Sequence, residues 1–257
     1  MIIEDQICIE QLTGDAKRRL YVSLPDDIEE GRYYPVLYMF DGHNVFFDED
    51  ATYGKSWGMK DYLEETRSQL IVVGVECNHK GKGRLHEYSP FPVTVKGEGR
   101  LKGLGPVYMD WLVNELKPRI DAEFPTIPDR EHTYIAGSSM GGLMTIYALS
   151  VYNHVFSRGA ALSPSLWLSP NRIRDMITNA DIRENTWLYM DYGSEELDNH
   201  IGDKMLQAFG RVYEAFLKKG VMGCARIVPG GTHSEASWQR QVPVFMECLE
   251  MNGWDEK

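Results

Sequence analysis

Short runs of purely apolar residues are the feature that most constrains the fold of this chain. Residues 34–40 (YPVLYMF) and 70–75 (LIVVGV) show no polar alternation, and the helix-like segment 56–68 separates them. Strands buried on both faces need this composition, and helical crossovers between strands are what parallel pairing requires. The sequence therefore predicts an α/β fold, with a mostly parallel central sheet and helices on both faces.

The same alternation continues along the rest of the chain. A half-buried strand is predicted at 18–25, and further strands are predicted at 132–137, 159–163, 186–193 and 224–230. Helices are predicted at 107–120 and 204–220, directly after residue 139, and near the C-terminus around Pro243. Residues 77–105, rich in Gly, Lys, His and Pro, are predicted to form a long irregular loop. Repeats and low-complexity linkers are absent, so we expect one domain over residues 1–257.

Composition limits the classes of partner. The formal net charge is -11, which disfavours a nucleic-acid backbone as a ligand. The N-terminus has no signal-peptide pattern and no stretch has the length of a membrane span, so we expect a cytoplasmic protein with no membrane partner. Scattered cysteines, without a Cys/His ligand pair, predict reduced core thiols and no metal site: Cys8, Cys77, Cys224 and Cys248.

The segment 133–149 (TYIAGSSMGGLMTIYAL) contains the pattern G-x-S-x-G. The pattern requires a strand that turns sharply into a helix, with small residues two positions before and after the serine. Gly137 and Gly141 are those residues, so Ser139 lies at the tip and Ser138 does not. A serine held there is a nucleophile, and the N–H of Met140 points toward a developing oxyanion.

A serine nucleophile needs a histidine base, which follows it in the chain order of this motif. The histidines after Ser139 include His154, which follows the next helix too closely, and His200, which is better explained as a helix cap. His233 lies in a glycine-rich loop between a strand and a helix, PGGTHSEASW. We therefore predict His233 as the base.

The orienting acid is expected after the strand 186–193. Asp191 falls within that strand, while Glu195, Glu196 and Asp198 follow it. A carboxylate on the loop can reach a histidine on the next loop, so Glu196 and Asp198 lead.

A second oxyanion donor is expected after the strand 34–40, in DGHN. Gly42 allows the chain to turn there, and the N–H of His43 is the best-placed candidate. An HExxH motif is absent, which disfavours a metal hydrolase.

From about residue 34 to its end, the chain resembles the "putative esterase" group of α/β-hydrolases. That group includes feruloyl and acetylxylan esterases, enterochelin-type siderophore esterases and esterase D. The stretches that carry the resemblance include VLYMFDGHNVFFD, RLHEYSPF, FSRGAALSPSLW, YMDYGSEE and GGTHSEASW. In this group the acid stands three residues after the glycine that ends its strand. That count, from Gly193, favours Glu196 over Asp198. The resemblance implies no cofactor.

These observations predict a serine carboxylesterase acting on a small-molecule or oligosaccharide ester, with a carbohydrate-linked feruloyl or acetyl ester as the leading substrate. The alternatives are a siderophore lactone esterase, an acyltransferase and a binding protein without activity. Candidate substrate contacts are Trp57, Arg84 and Trp167. Core packing is an equally good explanation for a tryptophan, and an ion pair that fixes the irregular loop is an equally good one for Arg84.

Overall fold

The structure is a computed structural model that describes residues 1–97, 99–197 and 202–250. Its strands are, in chain order, β1 (Ile2–Cys8), β2 (Lys17–Ser23), β3 (Val36–Phe40), β4 (Ile71–Val75), β5 (Val93–Val95), β6 (Gly99–Leu101), β7 (Thr133–Ser138), β8 (Arg158–Leu162), β9 (Trp187–Gly193) and β10 (Met222–Val228).

Eight of these strands form one sheet in the order β1-β2-β4-β3-β7-β8-β9-β10. Strand β2 is antiparallel to both of its neighbours, and the strands from β4 to β10 pair in parallel. Side chains of β3 alternate between two cores, with Val36, Tyr38 and Phe40 on one face and Leu37 and Met39 on the other. The predicted mostly parallel sheet is confirmed.

Helices cover both faces of the sheet. The helices are α1 (Glu10–Thr13), α2 (Met59–Thr66), α3 (Gly83–Glu87), α4 (Gly105–Trp111), α5 (Lys117–Glu123), α6 (Met140–Val151), α7 (Pro170–Asn179), α8 (Gly202–Lys218), α9 (Glu235–Gln239) and α10 (Val242–Glu250). Residues of α4, α6, α7 and α8 fill the core on one face, and residues of α2, α9 and α10 fill the core on the other. No described helix is long and apolar enough to cross a bilayer.

Two helical segments differ from expectation. The helix α6 follows residue 139 as predicted, but an amphipathic helix with one exposed face would be usual at the surface of a sheet, and α6 is buried along its whole length except at Val151. The predicted helix 107–120 runs from Gly105 to Glu123, and a π-helical turn (Leu112–Leu116) joins its two α-helical parts. Pro118 has no N–H and its ring would crowd the carbonyl of Asn114 in a regular α-helix, which accounts for the wider turn.

The prediction of a structureless loop over residues 77–105 was wrong. The segment contains α3 and the hairpin of β5 and β6. A buried ion pair ties α3 to the sheet, because Arg18 of β2 donates to both carboxylate oxygens of Glu87 at 2.8 and 2.9 Å. Polar residues in this segment thus form long-range contacts that leave no periodic signature in the sequence.

The order of the parallel strands determines where a site can form. The chain passes from β3 to β4 on one side and later adds β7 on the other side of β3. Loops leaving β3 and β7 therefore diverge at the carboxyl edge, where open α/β sheets hold their ligands. A cavity of 620 Å³ lies at the opposite edge, near Pro35, Leu70 and Trp187, and is remote from the residues described next.

Candidate active site

Ser139 occupies the sharp turn between β7 and α6. Its backbone has φ 56° and ψ -119°, a conformation that costs a non-glycine residue about 1–3 kcal/mol. The turn closes tightly, because a Cβ on Gly137 would lie 2.7 Å from the carbonyl carbon of Gly141. Ser138 is a buried residue of β7. Ser139 is therefore the residue at the tip, on the carboxyl edge of the sheet.

His233 lies within hydrogen-bonding distance of Ser139. The imidazole Nε2 is 3.0 Å from the Ser139 hydroxyl, and the side chain is 48% exposed. Its loop after β10 packs directly on the loop after β9, since a Cβ on Gly193 would lie 2.2 Å from the carbonyl oxygen of Gly231. The N–H of Glu195 donates to the same carbonyl at 3.0 Å. These backbone contacts bring the two loops together.

Glu196 binds the other nitrogen of the imidazole, with 2.6 Å between His233 Nδ1 and Oε2. Its second oxygen accepts from the Gly193 N–H at 2.9 Å and from the Ser163 hydroxyl at 2.6 Å. Burial raises the pKa of the Glu196 carboxyl, but the hydrogen bonds from His233, Ser163 and Gly193 lower that pKa by more. The carboxylate is therefore ionised at neutral pH and fixed at both oxygens.

The other carboxylates considered for this role have different surroundings. Asp191 is buried in β9, where it accepts from the Tyr189 hydroxyl at 2.8 Å and from the Ser163 N–H at 3.2 Å. Glu195 is exposed. Asp198 and His200 lie outside the described residues.

Ser163 contacts Glu196, and the sequence did not predict this contact. It follows the end of β8 with φ 43°, and its hydroxyl accepts from Trp238 Nε1 at 3.0 Å while it donates to Glu196. The Trp238 ring also packs edge to face with the His233 imidazole, with 5.1 Å between centroids. In the sequence, the one indication of a role for Ser163 was its position directly after a strand of the parallel sheet.

Two backbone N–H groups, those of Met140 and His43, are predicted to bind the oxyanion. Met140 is the first residue of α6, where N–H groups have no partner within the helix. His43 lies in the short turn Gly42–Asn44 that follows β3, and a Cβ on Gly42 would lie 2.4 Å from the Gly74 carbonyl carbon. That contact requires glycine at position 42 and holds the turn against β4.

Asp41 directly precedes this turn and is held by an ion pair. It has φ 56° and is buried, and Arg84 donates to both of its oxygens at 2.7 Å. Burial raises the pKa of the Asp41 carboxyl, but the charge and hydrogen bonds of Arg84 lower it by more. Arg84 thus fixes a loop, which agrees with the ion-pair explanation for this residue.

The two tryptophans proposed as substrate contacts differ in exposure. Trp57 is 3% exposed and packs against Trp238 and Phe245, so core packing explains it and little of its surface is left for a substrate. Trp167 is 45% exposed, two residues after Ser165, whose hydroxyl is 3.4 Å from that of Ser139. Trp167 therefore remains available to a ligand.

Glu235 is a second residue that the sequence analysis missed. Its side chain is buried, and its carboxylate lies 3.5 Å from the Asn44 amide nitrogen. Burial raises the pKa of the Glu235 carboxyl, and the negative charge of Asp41 raises it further. A buried carboxyl group thus lies beside the loops that carry His233 and Asp41.

Buried Cys77 lies beside two histidines. The sulfur of buried Cys77 and one nitrogen each of His43 and His79 lie within 4.8 Å of one another. The sequence showed no Cys/His ligand pair, but the structure brings these side chains together because the carboxyl ends of β3 and β4 are adjacent. Cys8 is exposed, and Cys224 and Cys248 are partly exposed, so the core-thiol prediction fits Cys77 alone.

Comparison with known proteins shows the family of this chain. The chain matches the family described as "Putative esterase" over residues 12–246. YbbA, an uncharacterised protein of Bacillus subtilis, is 23% identical over 94% of both chains. The siderophore triacetylfusarinine C esterase of Aspergillus fumigatus is 28% identical, over 55% of this chain and 48% of its own length.

Solved structures share the fold. An IroE-like serine hydrolase from Shewanella oneidensis superposes with a TM-score of 0.73 at 21% identity, over 93% of this chain and 77% of its own. A ferulic acid esterase superposes with a TM-score of 0.69 at 20% identity, over 97% of both chains. The predicted family, fold and enzyme class are confirmed. The chain belongs to the putative esterase family and is an ester hydrolase with the α/β-hydrolase fold.

Proposed function

We propose that this protein is a serine carboxylesterase in which Ser139, His233 and Glu196 form the catalytic triad. The observation that carries the proposal is the continuous chain of hydrogen bonds from the Ser139 hydroxyl through the imidazole to the carboxylate, at 3.0 and 2.6 Å. In a serine triad the base is hydrogen-bonded to the nucleophile and the acid to the base, and these distances fit that arrangement.

The first half-reaction forms an acyl-enzyme. His233 Nε2 accepts the Ser139 hydroxyl proton while the oxygen attacks the ester carbonyl carbon. The tetrahedral intermediate collapses, the bond to the alcohol oxygen breaks, and the imidazolium returns its proton to that oxygen. In the second half-reaction, water loses a proton to His233 and attacks the acyl carbon, which releases the acid and regenerates the Ser139 hydroxyl.

Glu196 acts through the imidazole. Its bond to Nδ1 keeps the proton on that nitrogen, so that Nε2 has a lone pair directed at Ser139. Its negative charge stabilises the imidazolium that forms during both steps. The N–H groups of Met140 and His43 are proposed to bind the oxyanion, a contribution of about 2.7–4 kcal/mol per donor in comparable enzymes.

We propose an uncharged acyl or sugar-linked ester, such as a feruloyl or acetyl oligosaccharide, as the substrate. The pairing of Arg84 supports this choice, because its guanidinium is bound to both oxygens of Asp41. Its positive charge is thus already neutralised and is not offered to an anionic ligand. Trp167 offers an exposed ring against which a sugar or aryl group can pack.

A siderophore lactone is the second candidate, and the names of relatives favour it. Both the Aspergillus fumigatus relative and a structural neighbour from Aspergillus nidulans, siderophore hydrolase EstA, are described as acting on siderophores. The neighbour has a TM-score of 0.69 at 16% identity over 97% of this chain and 95% of its own, which shows a shared fold.

A cytoplasmic location and a single domain over 1–257 stay predictions.

The experiment that tests the proposal is a comparison of kcat/KM across a panel of esters. The panel contains an aryl acetate, a feruloyl oligosaccharide, an acetylated xylo-oligosaccharide and a catecholate trilactone. We expect the carbohydrate esters to exceed the trilactone by at least about 10-fold, which corresponds to 1.4 kcal/mol in transition-state binding. A preference for the trilactone would favour the second candidate.

Two other functions share this fold. Added alcohol acceptors distinguish an acyltransferase, because a transferase forms a new ester where a hydrolase releases the acid. The absence of turnover on every ester, with a correctly folded protein, would indicate a binding protein and contradict the proposal.

A further inference from the structure

Outside the proposed triad, one group of metal-ligating side chains lies at the carboxyl ends of β3 and β4. His43 follows β3, while Cys77 and His79 follow β4, and one ligand atom from each lies within 4.8 Å of the other two. Ligands of a tetrahedral ion with bonds of roughly 2.0–2.3 Å lie roughly 3.3–3.8 Å apart. The exposed His79 ring can close this small difference by side-chain rotation.

One ring nitrogen of His43 is available to coordinate a metal ion. The side chain is 3% exposed, and its Nδ1 has no hydrogen-bond partner among the described residues. The other nitrogen, Nε2, is 3.0 Å from the Thr52 hydroxyl. If Nε2 carries the proton and donates to Thr52, Nδ1 presents a buried lone pair. Such a group is costly to bury without a partner.

His79 has the arrangement that outer-shell carboxylates give to metal-binding histidines. Its Nε2 is 3.2 Å from Glu76 Oε1, and Glu76 is itself fixed by Arg19. A carboxylate that binds one ring nitrogen sets the tautomer and leaves the other nitrogen free for an ion. The rings of His43 and His79 meet edge to face with 4.6 Å between centroids. Both histidines are thus held by one nitrogen with the second available.

We propose that His43, Cys77 and His79 form a binding site for a borderline-soft divalent cation, with Zn²⁺ as the intended ion. Two imidazoles and a thiolate are a ligand set that selects zinc over calcium or magnesium. Three protein ligands leave a fourth position for water. The nearby Asp41 and Glu76 carboxylates provide negative charge, although Arg84 and Arg19 offset much of it.

Binding must release a proton. Zinc binds cysteine as the thiolate, so the ion displaces the Cys77 thiol proton as the Zn–S bond forms. Histidine binds the ion as the neutral imidazole. One ion therefore binds with the release of about one proton, and affinity increases with pH.

The test uses the full-length protein after removal of metal with a chelator. Zn²⁺ is titrated by calorimetry in buffers of different ionisation enthalpy, and Co²⁺ is titrated by absorbance. We expect one saturable Zn²⁺ site with about one proton released, and a near-ultraviolet thiolate-to-Co²⁺ charge-transfer band. These readouts do not depend on esterase activity, so the proposal can fail or hold independently of the proposed function.

Variants locate the site. Cys77→Ser should remove the charge-transfer band, and His79→Ala should weaken Zn²⁺ binding by at least about 100-fold, since loss of an outer-shell partner alone costs roughly 10–100-fold. His79 is exposed, so His79→Ala remains informative if the buried Cys77→Ser variant does not fold. Thr52→Val should weaken binding by roughly 10-fold through loss of the His43 contact.

Matched controls are Cys8→Ser, which removes an exposed thiol, and His132→Ala, which removes a histidine paired with Asp129. Both should bind Zn²⁺ like the unmodified protein. The proposal is overturned if the unmodified protein shows no saturable Zn²⁺ binding, if His79→Ala binds with unchanged affinity, or if a control variant abolishes binding.

Discussion

Asp191 and Glu196 are two carboxyl groups at the end of the same strand, in opposite electrostatic surroundings. Asp191 is buried with a tyrosine hydroxyl and one N–H as partners, and burial raises the pKa of its carboxyl to about 6. Glu196 lies on the loop beyond, where His233, Ser163 and Gly193 lower the pKa of its carboxyl. Both groups adjoin Ser163, yet only Glu196 has a hydrogen bond to the imidazole.

The difference shows that the partner, rather than proximity to the site, gives a carboxylate its role. An orienting acid must be ionised where it stabilises an imidazolium. The low pKa of Glu196 suits it to that task, whereas Asp191 is partly protonated at mildly acidic pH. We infer that Glu196 serves catalysis and that Asp191 connects β9 to the turn after β8.

Removal of the imidazole should lower activity the most, because it removes the proposed base and with it the group that binds Glu196 but not Asp191. We expect His233→Ala to lower kcat/KM for an aryl acetate by at least about 10⁴-fold. Steady-state kinetics measures the change. The control is His154→Ala, which alters an exposed histidine on the connection after α6. Its kcat/KM should remain within about 2-fold of that of the unmodified enzyme, because a surface substitution away from the site has a small effect.

Substitution of the acid should have the next largest effect. Glu196→Gln should lower kcat by about 10³–10⁴-fold with a smaller change in KM, because the amide cannot stabilise the imidazolium. Asp191→Asn is the matched comparison and should retain activity within roughly 3-fold. If the two variants lose activity to the same extent, the assignment of separate roles is wrong.

The comparison also predicts a pH dependence of stability. A carboxyl group whose folded-state pKa is raised from 3.8 to about 6 binds more protons in the folded state, so its contribution to stability falls as pH rises between these values. The free energy lost is up to about 3 kcal/mol. Between pH 4 and 7, chemical unfolding should therefore show a steeper loss of stability for the unmodified protein than for Asp191→Asn. Parallel pH profiles would contradict the raised pKa.

The smallest effect is expected at Ser163. Ser163→Ala removes a hydrogen bond to the ionised Glu196 carboxylate, a contact worth about 1.5–3 kcal/mol. We expect kcat to fall roughly 10-fold with KM changed less than 2-fold, since Ser163 positions the acid and does not contact the reacting atoms. A change confined to KM would indicate a substrate contact instead.

Local pattern was sufficient to locate the elbow. Strand, helix and glycine spacing around Ser139 are determined within a few residues, and the close contact of Gly137 with Gly141 is their direct consequence. The parallel sheet was predictable for a similar reason, because strands buried on both faces need unbroken apolar sequence. His233 could be predicted from its glycine-rich loop, and its role stays a prediction.

Long-range contacts were not predictable in the same way. Position relative to the strand left two candidates for the acid, Glu196 and Asp198, and family resemblance alone favoured Glu196. The roles of Ser163 and Glu235 could not be assigned from local pattern, because their partners come from distant parts of the chain. The cluster of His43, Cys77 and His79 forms because β3 and β4 are neighbours in the sheet, and the local pattern of either strand does not show which side chains meet beyond their ends.

The most direct test of the proposed triad is the rate and site of labelling by a fluorophosphonate, followed by intact mass and peptide mapping. We predict one adduct, on Ser139, in the unmodified protein, Ser138→Ala and Asp191→Asn, with labelling slowed by about 10³-fold in Glu196→Gln and absent in Ser139→Ala. An adduct on another residue, or equal labelling rates for Asp191→Asn and Glu196→Gln, would contradict it.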